Sequence, residues 1–215
     1  MICNVLATGS SGNCVLVNDF VAIDMGVPYK LIAPFAKGLK LVLLTHIHSD
    51  HFNPATLRRL AQDRPTLRFG CCEWLVPPLI MAGVPTHKID VFTIGEINLY
   101  SHLRVEAFPL FHDVENCGYK LDFDGEKVLY ATDTGTMEGV EAKDFDLYMI
   151  EANHTEAEIQ ERIRRKVEAG EFIYEYRAAA GHLSKEKADA WLEMNATPGK
   201  SKVIYLHEHK EREQC

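Results

Sequence analysis

Thr45-His46-Ile47-His48-Ser49-Asp50-His51 places four metal-binding side chains within six residues. The apolar run before it, Leu41-Val42-Leu43-Leu44, reads as a buried strand. Asn53-Pro54 follows and reads as a helix start, with asparagine as N-cap and proline at the first helical position. The four side chains therefore sit on a strand-to-helix turn. Alternation lets His46 and His48 face one point, and Asp50 and His51, beyond the bend, can face a second point nearby. Imidazoles with one carboxylate among them suit a catalytic zinc site.

The rest of the chain sets bounds on this reading. Its 215 residues are enough for one domain with a sizeable core, and with no internal repeat or linker-like stretch the expectation is one domain over 1–215. No apolar run approaches the ~20 residues that span a bilayer. The opening Met1-Ile2-Cys3-Asn4 lacks a basic, then apolar, leader pattern, so a cytoplasmic protein with no membrane partner is expected. Six scattered cysteines read as thiols in a reducing compartment. A net charge of −8 argues against coating long nucleic acid through a broad basic face. A phosphate substrate stays compatible, because bound metal ions supply local positive charge.

In chain order, 2–7, 13–17 and 20–23 read as strands. The joint Thr8-Gly9-Ser10-Ser11-Gly12-Asn13 is either a plain turn or a place where an anion meets small residues, which makes Ser10, Ser11 and Asn13 candidate substrate contacts. A short helix is expected over 28–36. A helix over 54–62 should bury Ala55, Leu57, Leu60 and Ala61, and one over 73–82 should be broken by Pro77-Pro78. Strands are expected at 67–70, 89–93, 97–100 and 103–109, the last three forming a second half. Residues 117–123 and 127–131 pair around Asp124-Gly125, a hairpin signal. After a strand at 145–150, Thr155 caps a helix to about 169 with Gly170 as its stop. Arg162, Arg164, Arg165 and Lys166 on that helix are either a solvated face or a phosphate-contacting patch. The stretch 172–180 is undecided between helix and extended chain. Ser184 caps a helix to 194, and 202–206 is the last strand, with His207 at its end and His209 two residues on. His87 and His102 read as ordinary surface residues.

The pattern His-x-His-x-Asp-His resembles the signature of the metallo-β-lactamase superfamily. The resemblance implies an α/β, four-layer αββα sandwich and a one- or two-metal site. It implies three more ligands, for which His112, Asp133 and His207 stand in order, and an Asp24 that buttresses the ligand loop. Gly9-Ser10-Ser11-Gly12-Asn13, Glu151-Ala152-Asn153-His154, Gly181-His182-Leu183-Ser184 and the late His207 narrow the resemblance to the YycJ/WalJ-type hydrolases, with similarity to RNase Z and to short phage-encoded cyclic-nucleotide phosphodiesterases. The chain has Glu208-His209 where YycJ-type proteins usually carry Leu-Ser, and 155–180 is divergent.

The expected metal set is thus His46, His48, Asp50, His51, His112, Asp133 and His207, holding two divalent ions, zinc or else manganese. Two such ions sharing an acidified water attack a phosphodiester in a nucleotide or nucleic-acid end. Asp50 serves the metals and the nucleophile. His182, held at the start of the helix capped by Ser184, clamps the phosphate or protonates the leaving oxygen. His154 is either structural or a substrate contact. The alternatives are a carboxylic-ester, thioester or lactone hydrolase, which would not need His182, and a cyclic-nucleotide phosphodiesterase. Self-association into a homodimer is also left open.

Overall fold

The computed structural model describes residues 1–207, so His209 and the tail after it lie outside the described residues. The chain divides into two compact units, Met1–Asn98 and a second that begins at Leu99. The first contains β1 (Cys3–Ala7), β2 (Cys14–Val17), β3 (Val21–Ile23), α1 (Tyr29–Ile32), β4 (Leu41–Leu44), α2 (Pro54–Asp63), β5 (Arg68–Cys72), α3 (Val76–Ala82) and β6 (Ile89–Phe92). Its sheet runs β1-β2-β3-β4-β5-β6. β1 to β3 are antiparallel and β3 to β6 parallel. Parallel neighbours need a crossover, and α1, α2 and α3 fill that role.

β2, β3 and β4 are buried along their whole length, which is why they read as unbroken apolar runs. Leu16, Ala22, Val42, Leu44 and Phe69 share a core with Leu57 and Leu60 of α2 and Leu79 of α3. α2 starts as expected: Asn53 accepts a hydrogen bond from Thr56 N–H, and Pro54 opens the first turn. Its buried face differs from expectation. Ala55 is exposed, and Thr56 is buried in its place, with its hydroxyl donating to the Val27 carbonyl at 2.7 Å. Pro77-Pro78 does not break a helix. A 3-10 turn over Glu73–Leu75 precedes α3, so the prolines fall in its first turn, where a missing N–H costs nothing. The run at 89–93 belongs to this first sheet, paired parallel to β5, and not to the second half.

The second sheet contains β7 (Ile97–Tyr100), β8 (Leu103–Leu110), β9 (Asn116–Phe123), β10 (Glu126–Ala131), β11 (Leu147–Glu151) and β12 (Lys202–Leu206) in the order β12-β11-β10-β9-β8-β7. β8 to β10 are antiparallel, and β10 to β12 parallel. Asp124 and Gly125 both have positive φ, as a tight two-residue hairpin requires. α4 (Glu156–Ala169), α5 (Glu175–Gly181) and α6 (Lys185–Asn195) complete the unit. α4 begins with a full capping box, Thr155 with Glu158, and ends on left-handed Gly170. Leu129, Ala131, Tyr148 and Ile150 pack with Leu183, Ala188, Trp191 and Leu192. No helix among the described residues is long and apolar enough to cross a membrane.

Candidate metal centre

In the first unit the ligand-rich turn leaves the end of β4. Asp24, just past β3, is fully buried and organises it. One carboxylate oxygen accepts from the backbone N–H of Thr45 at 3.0 Å and from its hydroxyl at 2.9 Å. The other faces His51 Nδ1 at 2.7 Å. The Thr45 hydroxyl stands 2.9 Å from His46 Nδ1. Asp24 therefore orients His51 directly and His46 through Thr45. The imidazoles cluster: His46 and His48 ring centroids are 4.8 Å apart, and His46 and His51 are 4.1 Å apart.

The turn is also pinned from below. Asn13 N–H donates to the Asp50 carbonyl at 2.6 Å, and its side-chain amide reaches the same carbonyl, the Asp50 carboxylate and His51 Nε2. Gly26 passes under it so closely that a Cβ there would lie 1.7 Å from the Asp50 carbonyl oxygen and 2.7 Å from the His51 nitrogen. Backbone cannot yield as a flexible side chain can. Gly26→Ala is therefore expected to cost at least the ~1–3 kcal/mol typical of overpacking, and to lower metal content by moving the Asp50–His51 segment. Thermal melts and elemental analysis of the purified variant check both. A variant with unchanged melting and metal content would show that the turn has slack.

The second unit builds a cluster around Glu151, the last residue of β11, which is fully buried. One of its oxygens faces Nδ1 of His182 at 2.7 Å and Nδ1 of His207 at 2.9 Å. The other accepts from the backbone N–H groups of Thr134 and Leu183. Burial works to raise the Glu151 pKa, but the two imidazole partners outweigh it and hold the pKa below the ordinary value. Burial likewise opposes protonation of His182, yet Glu151 and Asp133 raise its pKa. One donor atom from each of Asp133, Glu151, His182 and His207 lies within 4.8 Å of the others. His112, after β8, has Nδ1 3.1 Å from the Gly181 carbonyl, and burial lowers its pKa.

Two regularities run through these residues. In His46, His51, His112, His182 and His207, Nδ1 is the nitrogen turned to a protein oxygen. With the proton on that nitrogen, neutral rings at His46, His112 and His207 present the lone pair of Nε2, while that of His51 meets the Asn13 amide at 2.8 Å. At His112 this lone pair faces carboxylate oxygens of Asp113 at 3.2 Å and Asp133 at 4.0 Å, an arrangement that a cation between them relieves. Asp24, Asp133 and His207 also share a left-handed backbone, with φ of 59°, 57° and 57°. Asn18, Asp19, His102, Asp124 and Asp144 have positive φ as well, all of residue types that adopt it readily.

Residues 18–207 match the β-lactamase superfamily domain. The chain belongs to the metallo-β-lactamase superfamily. Exodeoxyribonuclease YycJ of Bacillus anthracis is 28% identical over 166 residues, which are 70% of this chain and 62% of that one. The chain thus spans less than two thirds of that relative's length. Exodeoxyribonuclease WalJ of Streptococcus pneumoniae is 29% identical over 223 residues, covering 94% of this chain and 79% of that one. The crystal structure of YhfI from Bacillus subtilis, a metallo-β-lactamase fold protein, superposes with a TM-score of 0.73 at 16% identity, covering 98% of this chain and 87% of that one. The superfamily's fold implies divalent metal ions. The oriented Nε2 lone pairs and buried carboxylates fit them.

Several of the candidate contacts have other partners. Asn13 is 1% exposed, and its amide holds Gly9, Asp50 and His51 together. Ser10 and Ser11 are exposed on the adjoining turn. His154 is 4% exposed, its carbonyl accepts from Lys185 N–H, and its Nδ1 stands 3.3 Å from Asn153 Oδ1. His182 does not open α6. It caps the C-terminal end of α5, two residues before Ser184, and Glu151 positions it rather than a helix N-terminus. Arg164 forks onto Glu161 on the solvated face of α4. His102 pairs with Asp124 at the surface. The residue that sequence reasoning passed over is Glu151. Its signal is a single carboxylate ending an otherwise apolar strand.

Proposed function

We propose that the chain hydrolyses phosphodiester bonds at the end of a nucleic acid or in a nucleotide, with two divalent ions held by His46, His48, Asp50, His51, His112, Asp133 and His207. We further read the two compact units as parts of one superfamily domain, since the match over 18–207 runs through both. The observation that carries the functional reading is the Glu151 cluster, where one buried carboxylate orients both His207 and His182. Relatives named as exodeoxyribonucleases support the same reaction class. Such ions, when bound, make water nucleophilic at neutral pH and polarise a phosphoryl oxygen. An imidazole-rich donor set favours zinc over manganese.

The side chains do the rest. Asp24 and Glu151 keep the imidazoles in one tautomer. His182, about one-fifth exposed and held through Nδ1 by Glu151 at 2.7 Å, has Nε2 left to give a proton to the leaving oxygen when the ring is an imidazolium. With the net charge at −8 and Arg164 neutralised by Glu161, recognition centres on the scissile nucleotide and few neighbours.

A panel of chromogenic phosphodiester, lactone, thioester and β-lactam substrates with defined metals tests the reaction class. Turnover of the diester alone is expected. Turnover of the lactone or thioester without the diester would move the carboxylic-ester reading ahead. Elemental analysis should find about two ions per chain, and fewer in Asp133→Asn, a substitution that tolerates the left-handed backbone. Unchanged metal content and activity in that variant would defeat the two-ion assignment.

A further inference from the structure

Phe111 is 64% exposed although it directly precedes His112. A single exposed aromatic needs no special cause, but the backbone of this one is fixed in place. Its backbone N–H donates to the Thr134 hydroxyl at 3.1 Å, and its carbonyl accepts from Gly135 N–H at 2.9 Å. Both partners follow Asp133 on the same loop. The ring lies along Gly135, where a Cβ would stand 3.4 Å from Phe111 Cδ1 and 2.1 Å from the Ala180 carbonyl at the end of α5. The fold thus fixes the backbone that carries an exposed ring beside the loop of Asp133 and the helix end that leads to His182. An aromatic side chain on an anchored backbone has only its two side-chain torsions to order when a flat ligand covers it, and every nucleobase offers a flat π-face.

We propose that Phe111 is a positioning residue that stacks on the nucleobase attached to the scissile phosphate, which makes the substrate an unpaired nucleotide end rather than a base-paired one. This rests on the phosphodiesterase reading, and the test separates the two. Thymidine 5′-(p-nitrophenyl phosphate) and methyl p-nitrophenyl phosphate share a leaving group and differ in the nucleoside. Turnover of the methyl ester tests the diesterase reading by itself. The ratio of kcat/KM between the two esters tests Phe111. Stacking predicts that Phe111→Ala lowers that ratio by about fivefold to a hundredfold, mostly through KM, and that Phe111→Trp preserves it. Binding is read without turnover in Phe111→Trp, whose indole emission should be quenched more by a single-stranded thymidine oligonucleotide than by its abasic counterpart. An unchanged ester ratio in Phe111→Ala, or equal quenching by the two oligonucleotides, would overturn the proposal even if the methyl ester is cut.

Discussion

His182→Ala is expected to slow hydrolysis of a poorly activated phosphodiester by ~10²–10⁴-fold, the usual worth of a general acid. The loss on bis(p-nitrophenyl) phosphate should be much smaller, because p-nitrophenolate leaves without a proton. Glu151 faces His182 Nδ1 at 2.7 Å, which leaves Nε2 as the ring nitrogen available to a substrate. Elemental analysis of the same variant separates two roles that the geometry brings close together. His182 lies within ligand distance of Asp133 and His207, so a variant that loses an ion would make His182 a ligand. Unchanged metal content with a leaving-group-dependent rate loss identifies the acid. Wild-type rates on both diesters would remove the role altogether.

Glu151→Ala should have the second largest effect, and on stability as well as chemistry. The carboxylate meets two imidazoles and two backbone N–H groups with no exposed surface. Each buried donor left unmet costs ~1–3 kcal/mol, so the total approaches the 5–15 kcal/mol that holds a typical domain together. Glu151→Gln keeps the shape and one acceptor and should fold. It presents an amide in place of a carboxylate, which weakens its hold on His182 and His207, and loss of such support typically lowers metal affinity by 10- to 100-fold. Chemical denaturation and metal titration of the two variants check this. If Glu151→Gln bound metal like the parent, Glu151 would be a packing residue, and its apparent control of both histidines would be incidental.

The sequence made the ligand turn legible because several signals coincide there: an apolar strand, dense imidazoles, then Asn53-Pro54 as a helix start. The hairpin at Asp124-Gly125 and the capped helix α4 were legible for the same reason, since local turn and cap chemistry fixes them. What stayed hidden depends on partners distant in the chain. Asn13 looks like a substrate contact in a serine- and glycine-rich turn, yet Asp50, 37 residues later, claims its amide. Thr56 looks polar on a helix, yet the Val27 carbonyl lets it be buried where Ala55 was expected. Glu151 stands in the sequence only as part of the Glu151-Ala152-Asn153-His154 motif, and its role emerges where Thr134, His182, Leu183 and His207 converge on it. His182 seemed to belong to the helix that follows because α5 could not be read from 172–180.

The strand order has a consequence for how the protein is made. In both sheets each strand lies beside its immediate neighbour in the chain, β1 through β6 in one and β7 through β12 in the other. No strand must be inserted between two that are already paired. Each sheet can therefore grow by adding the segment that emerges next, with loop closures no longer than one crossover. The first sheet uses only residues up to Phe92, so its pairing can be complete on the ribosome before most of the second has been synthesised. A nascent chain arrested after the first unit has left the exit tunnel should already resist proteolysis across β2 to β5.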